Sequence, residues 1–451
     1  MSEIEDFLEI TSSVIWGDAM LILLIGGGLF FTIYSKFVPF KHFTHAIKIL
    51  GGKYDQKAAP GEISHFQALS TALSGTIGMG NISGVALAIA SGGPGALFWM
   101  WMSAFLGMST KYFTCTLAVL YRGRDENGNP QGGPMYVIRE GLHKNWYGLA
   151  VFFCVAGIIG SSPIFQINQM AAVLKEGVLL PLGFEDGFKL NLILGIVFAL
   201  IVGAVIIGGI KRIASVASRL VPFMVLLYVL GVMMILLINF DKILPSFGLI
   251  FHDAFTAQSI LGGSLGMLMK EGVKRAAFSN EAGIGNAPMI HGAAKTSEPV
   301  REGLVAMLGP AIDTIIVCTM TGLCIIVTGA WTSKGINGVE MTSLAFESAL
   351  PGLGSYMLMI IILIFGITTI FGFSYYGQKC LAFLIGARYG VYFQYWHVFS
   401  VIIGAVSSLN IVVNLLFIGF GLMAIPTMIS TLLLSPKVWK ATRDYFSKPY
   451  N

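Results

Sequence analysis

Charge is what this sequence lacks. Of its 451 residues, only 11% are Asp, Glu, Lys or Arg, against about 25% in an average soluble domain. A soluble chain of this size needs a charged surface, and there is too little charge here to make one. A mean hydropathy of +0.78 and a hydrophobic content of 55% put lipid, rather than water, against most of the surface. Cysteine is sparse as well. Cys115, Cys154, Cys318, Cys324 and Cys380 all fall inside apolar stretches with no CxxC spacing, which argues for small core residues and against disulfides or a thiolate metal centre. The histidines are scattered near segment ends and form no metal pattern. No P-loop is present, which argues against direct ATP drive. Residues 1–13 carry Glu3, Glu5, Asp6 and Glu9 with no Lys or Arg, whereas a signal peptide needs a positive n-region. The net charge of +5 does not indicate a nucleic-acid partner. The bases sit in short loops between apolar runs, and no basic helix with interleaved aromatics appears.

What is present is a series of long apolar runs. A membrane-spanning helix needs about 20 mostly apolar residues. Eleven segments qualify, near 14–35, 66–90, 96–121, 146–174, 190–210, 216–238, 258–283, 302–329, 354–386, 392–409 and 411–434. The last two are separated only by the turn signal Ser407–Asn410. If the N-terminus lies outside, the inner loops hold 22 of the 28 Lys and Arg, as the positive-inside rule requires. The expectation is therefore a multi-pass protein with its N-terminus outside and its C-terminus in the cytoplasm.

Eleven spans parse as one extra helix followed by five and five, a plan compatible with inverted repeats. A single integral membrane domain divides accordingly. Residues 1–65 form the extra helix and a cytoplasmic loop. Residues 66–245 and 246–436 form the two repeats, and 437–451 a cytoplasmic tail. The first helix of each five has a weak point. The second span reads Ser74-Gly75-Thr76-Ile77-Gly78-Met79-Gly80-Asn81, and the seventh reads Leu261-Gly262-Gly263-Ser264-Leu265-Gly266. Each glycine costs a helix about 1 kcal/mol relative to Ala. Backbone freed at membrane depth must face protein or a water-filled cavity. Freed N–H groups favour a carboxylate, while freed carbonyls and hydroxyls favour a small hard cation or an ammonium. A broken pair could thus hold both ends of a zwitterion together with Na⁺. Glycine used only for close helix packing is the plainer alternative.

Three passages give the chain a family likeness: Leu73 to Asn81, Gln131-Gly132-Gly133-Pro134-Met135-Tyr136, and Phe278-Ser279-Asn280-Glu281-Ala282-Gly283-Ile284-Gly285-Asn286-Ala287-Pro288. With these it resembles the alanine or glycine:cation symporter family, also called amino acid carrier proteins, over essentially the whole chain. The resemblance implies a LeuT-type fold: an all-α membrane protein of about 11 helices, one extra helix plus a five-plus-five inverted repeat with a discontinuous first helix in each half. It implies that the amides near Gly78 and Gly80 hold a substrate carboxylate. Backbone oxygens of Ser74 and Ile77 would face Na⁺ together with the hydroxyls of Thr368 and Thr369. The substrate set is Ser74, Gly75, Thr76, Ile77, Gly78, Met79, Gly80, Gly263, Ser264 and Gly266. Phe165 and Gln169 join it from the span 146–174, whose polar run Ser161 to Gln169 is too rich for a lipid-facing surface. A second cation site would use Thr76 and Asn81.

The interrupted segments hold no charged side chain, which favours a neutral amino acid. Bulky Ile77, Met79, Phe165 and Phe371 favour a small one, such as alanine or glycine. Lys111 and Asp313 are ionisable residues inside spans and so candidates for function. They read either as a structural ion pair or, at Asp313, as the proton site of an H⁺-coupled transporter. The charged residues Lys270, Glu271, Lys274 and Arg275 precede the Phe278–Pro288 passage, and that passage is left outside the binding set. A channel would need a filter motif or rings of charge, and an enzyme a catalytic constellation at membrane depth; neither is found. The chain is expected to be a non-enzymatic, monomeric symporter of the prokaryotic plasma membrane, with Na⁺ as coupling ion.

Overall fold

The computed structural model describes residues 2–55, 58–126, 128–256, 265–333, 335–336 and 338–447. Helix follows helix throughout. The described exceptions are a two-stranded ribbon, β1 (Gly123–Arg124) with β2 (Pro130–Gln131), and a single parallel bridge between Ile63 and Ala294. An N-terminal helix α1 (Ser2–Ile15) leads into α2 (Asp18–Tyr34) through a 44° bend. The next pair, α3 (His65–Thr76) and α4 (Gly80–Gly92), is bent by 55°. The start of α3 is fixed by a capping box: Gln67 N–H donates to Ser64 Oγ (3.2 Å) while Ser64 N–H donates to Gln67 Oε1 (3.0 Å), satisfying two helix-end donors at once.

The long helix α5 (Ala96–Leu120) follows. After the ribbon come α6 (Pro134–Gly141), α7 (Tyr147–Gly160) and α8 (Ile164–Leu174). Next are α9 (Phe188–Ile206), α10 (Gly209–Ile238) and α11 (Phe240–Phe255). The second half of the chain gives α12 (Leu265–Asn280), α13 (Asn286–His291), α14 (Pro299–Val327), α15 (Gly338–Ala349), α16 (Gly354–Ile385), α17 (Tyr392–Val406) and α18 (Leu409–Phe446).

Among the described residues, six helices are long and apolar enough to cross a membrane, and up to eight spans result if each bent pair counts as one. Eight of the eleven expected segments are thereby matched. The other three differ for identifiable reasons. Segment 96–121 is a full helix, but Lys111 and a run of Ser and Thr lower its apolarity. Segment 392–409 is helical for only 15 residues, about 22 Å at 1.5 Å per residue. Segment 258–283 is helical only from Leu265 among the described residues; Leu261, Gly262, Gly263 and Ser264 lie outside them. The turn expected at Ser407–Asn410 is present, since α17 ends at Val406 and α18 begins at Leu409.

Burial sorts the helices into centre and rim. The most apolar windows of α14 and α16 are 67% buried, whereas those of α9 and α10 are 39% buried. The rim helices turn Ile193, Leu200, Leu226 and Leu237 outward, which suits a lipid environment. In the centre, glycines allow backbones to touch. A Cβ on Gly419 would lie 2.5 Å from Gly160 Cα, where α18 crosses α7. This is the small-residue packing expected of membrane helices.

Candidate functional site

The site is built around the break between α3 and α4. Three glycines within six residues weaken the helix there, and neighbouring helices use the absent side chains. A Cβ on Gly75 would come 2.9 Å from the Tyr376 hydroxyl, and one on Gly78 would come 2.5 Å from Thr369 Oγ1. A Cβ on Gly80 would come 2.9 Å from Ser279 Cα. The break is therefore gripped on one side by the Thr369–Gly372–Tyr376 face of α16 and on another by the C-terminal end of α12. Ser74 through Gly84 are all buried. Ile77 leaves the helical conformation (φ −71°, ψ 99°), and α4 opens with a π-helical turn over Gly80–Gly84.

The freed backbone is partly satisfied from within. Gly78 N–H donates to Asn81 Oδ1 at 2.8 Å. Asn81 Nδ2 donates in turn to the Asp313 backbone oxygen (3.0 Å) and to Asp313 Oδ1 (2.8 Å). Asp313 Oδ2 accepts from Ser279 Oγ (2.8 Å) and Thr314 Oγ1 (2.7 Å). Asn280 Nδ2 donates to Thr314 Oγ1 at 3.0 Å. One buried carboxylate thus joins the break, the end of α12 and the interior of α14. Side-chain donors to a charged acceptor at these lengths are the stronger kind of hydrogen bond. The direct Lys111–Asp313 ion pair considered from sequence is not formed among the described contacts. Asp313 is held by neutral donors instead, and Lys111 Nζ lies beside Gly309, 3.1 Å from where its Cβ would be.

The sequence-derived residues separate into those brought together and those not. Ser74, Gly75, Thr76, Ile77, Gly78, Met79, Gly80 and Asn81 line one buried segment. Thr369 abuts it at Gly78, although its hydroxyl donates to the Phe365 carbonyl at 3.0 Å. Thr368, one residue earlier on α16, points elsewhere: it donates to Phe365 O (2.9 Å) and lies 3.4 Å from Met224 Sδ on α10. Ser74 Oγ bonds back to Thr71 O at 2.8 Å, and Thr76 Oγ1 to Leu73 O at 3.4 Å. Such back-bonding is usual for helical hydroxyls. The Gly78 amide expected to meet a substrate carboxylate is occupied by Asn81 in this conformation.

Gly266 is not at the break. Along α12, Ser279 abuts Gly80 while Leu268 abuts Gly92, so the helix runs antiparallel to α4. Gly266 is thirteen residues from Ser279, roughly 20 Å along the axis at 1.5 Å per residue, and it is exposed. What α12 offers to the break is Phe278, Ser279 and Asn280, which belong to the passage left out of the binding set. The signal was there: a dense run of Ser, Asn and Glu at the end of an apolar segment has to find buried partners.

Two cavities flank the break at opposite ends of α16. One, of about 390 Å³, is lined by Phe165, Gln169, Ser83, Gly338 and Ser355. The other, of about 410 Å³, is lined by Tyr375, Gln378, Lys379, Gln131 and Glu62. Neither is lined by Ile77, Gly78 or Met79. Phe165 packs edge-on against Phe278 (5.6 Å between ring centres), and Phe278 against Phe417 (5.3 Å). This aromatic layer lies between the first cavity and the break. In the same stretch of chain as Phe165, Ser161 Oγ and Gln166 Oε1 are buried without a hydrogen-bond partner among the described residues.

A sequence profile described as the sodium:alanine symporter family matches residues 1–451. The chain belongs to this family. Its members are transporters and not enzymes. Among relatives, the sodium/alanine symporter AgcS of Methanococcus maripaludis is 40% identical over 448 residues, covering 98% of this chain and 97% of that one. The probable sodium/glutamine symporter GlnT of Bacillus subtilis is 33% identical, covering 98% of this chain and 91% of that one. Among solved structures, MhsT in complex with L-phenylalanine aligns with a TM-score of 0.61 at 14% identity, covering 83% of this chain and 89% of that one. That likeness establishes the LeuT-type fold for this member of the sodium:alanine symporter family.

Proposed function

We propose that this protein moves a small neutral amino acid, such as alanine or glycine, inward together with Na⁺ by alternating access. The observation that carries the reading is the buried break at Ile77–Met79, held between two cavities that open at opposite ends of α16 and that it separates. A closed centre with a way out on either side is what alternating access requires. The substrate carboxylate binds backbone amides near Gly78 and Gly80, displacing the Asn81 side chain from Gly78. Na⁺ binds backbone oxygens of Ser74 and Ile77 with the Thr369 hydroxyl, and Thr368 takes the lesser part. The lack of fixed charge on the break favours a zwitterion with a neutral side chain, in keeping with the alanine and glutamine named for the two relatives. The cavity carrying Lys379, Arg124 and Arg139 faces the cytoplasm by the positive-inside rule, with the N-terminus outside. The five-plus-five repeat and eleven spans complete this reading, in a monomer of the prokaryotic plasma membrane.

A second reading draws on the Asp313 network. Through Asn81, this carboxylate reaches the break itself, so a coupling cation can sit there as a proton on Asp313 or as a second Na⁺ near Thr76 and Asn81. Uptake of radiolabelled alanine into proteoliposomes separates Na⁺ coupling from proton coupling. Accumulation with an inward Na⁺ gradient, and not with K⁺ or a proton gradient, supports the first. Accumulation driven by protons alone moves the coupling site to Asp313. Absence of uptake of alanine, glycine and serine under every gradient sinks the substrate assignment.

A further inference from the structure

A lysine inside a membrane span ordinarily has a carboxylate partner. Lys379, near the cytoplasmic end of α16, has none among the described residues. Its ammonium donates to the side-chain oxygen of Gln131 and lies 5.0 Å from the centre of the Tyr375 ring. Both partners are neutral, and all three groups line the 410 Å³ cavity. The Tyr375 hydroxyl, in a side chain only 3% exposed, has no hydrogen-bond partner among the described residues. A cation without a carboxylate partner therefore borders this space, with the Tyr375 ring beside it. Three acids also line it: Glu62, Asp125 and Glu126, the last beside Gly386. Asp125 is taken up by Asn129 and Gln131. Glu62 has no ion pair among the described residues, although it acts electrostatically on Lys379 across the cavity. Arg139 is engaged by Glu140 at 2.7 Å.

On the transport reading the cavity lies on the route out. Tyr376, the residue after Tyr375, has its hydroxyl against Gly75. Thr369, which meets the break at Gly78, precedes Lys379 by ten residues, about 15 Å along α16. Its volume falls within the range of small-molecule sites and exceeds what an amino acid the size of alanine fills.

We propose that this cavity is a second, weaker amino-acid subsite on the cytoplasmic side. Lys379 Nζ takes the carboxylate of a zwitterion, and Glu62 takes its ammonium. A charge-assisted bond to the carboxylate replaces the neutral one to Gln131. The subsite receives substrate leaving the break and gives the exit step its own saturation. Its place on the path rests on the transport reading, but the existence of the site does not.

The test is acylation of Lys379 in the purified full-length protein by a water-soluble amine reagent, followed by mass spectrometry. Millimolar L-alanine and propionate are expected to slow acylation several-fold without Na⁺, and ethylamine and matched NaCl are not. In Glu62→Gln, protection by alanine should fall to the level given by propionate. Thr369→Ala, which disables the central site, should leave protection intact. The proposal is overturned if neither alanine nor propionate protects, or if ethylamine or salt protects equally. It is overturned as well if protection needs Na⁺ and vanishes in Thr369→Ala, since the signal then comes from closure of the central site. Failure of Na⁺-driven uptake would count against the transport reading alone and would not alter this readout.

Discussion

At the scale of single residues, the site depends on side chains that are absent and on one that bridges. Gly78 has no room for a methyl group, because the Cβ would fall 2.5 Å from Thr369 Oγ1. Thr369 and Thr368 are neighbours in sequence but about 100° apart around a helix of 3.6 residues per turn, and only Thr369 meets the break. Thr369→Ala is therefore expected to weaken Na⁺ activation of transport by about tenfold or more, equivalent to about 1.4 kcal/mol, with Thr368→Ala giving the smaller change. Half-saturating Na⁺ in an uptake assay distinguishes the two, and equal effects would refute the assignment. Asp313→Asn replaces a carboxylate that accepts from Asn81, Ser279 and Thr314 with an amide that can accept on one side only. Hydrogen bonds to a charged group contribute about 1.5–3 kcal/mol each, so the variant should lose stability of that order in thermal or denaturant unfolding. A variant as stable as the parent would show that the network contributes little.

At the scale of elements, the sequence displayed the first broken helix plainly, because the glycines, the bulky neighbours and the apolar flanks all lie within one window. Contacts between distant windows were hidden. Nothing in local composition indicates that Ser279 and Asn280 meet Asp313, or that Asn81 rather than a ligand fills the Gly78 amide. These are choices among buried partners that only packing makes. The same limit misled the placement of Gly266: matched glycine clusters suggested matched positions, while the antiparallel course of α12 along α4 brings the opposite end of α12 to the break. The α15–α16 turn offers a separate test. Glu347 accepts from the Gly352 N–H (2.6 Å), the Ser355 N–H (3.1 Å) and the Ser355 hydroxyl (2.7 Å). The Gly352 amide first, then Ser355, holds its carboxyl below the usual carboxylate range. A group whose value is lowered by folding stabilises the fold above its unfolded value, and that contribution is lost as pH falls through the folded one. Exchange of the Gly352 and Ser355 amides should accelerate in acid beyond the intrinsic pH trend, and in Glu347→Gln at neutral pH. Unchanged protection would remove this turn as an anchor of α16.

At the scale of the molecule, low charge and long apolar runs identified the membrane class and most of the spans. Cavities, by contrast, belong to no segment and cannot be read from one. The two cavities predict sidedness. All five native cysteines are buried, so introduced ones can be probed against a quiet background. Ser343→Cys should react with an impermeant thiol reagent applied outside whole cells. Gln378→Cys should react only after the cytoplasmic face is exposed. The reverse pattern would invert the orientation.

The buried break is proposed to bind amino acid and Na⁺ together. Equilibrium binding of radiolabelled alanine to the purified protein, in Na⁺ and in K⁺, with Gly78→Ala beside the parent, tests it most directly. Saturable binding in Na⁺, little in K⁺, and loss in a folded Gly78→Ala protein are expected. Equal binding in both salts, or undiminished binding by Gly78→Ala, would contradict the proposal.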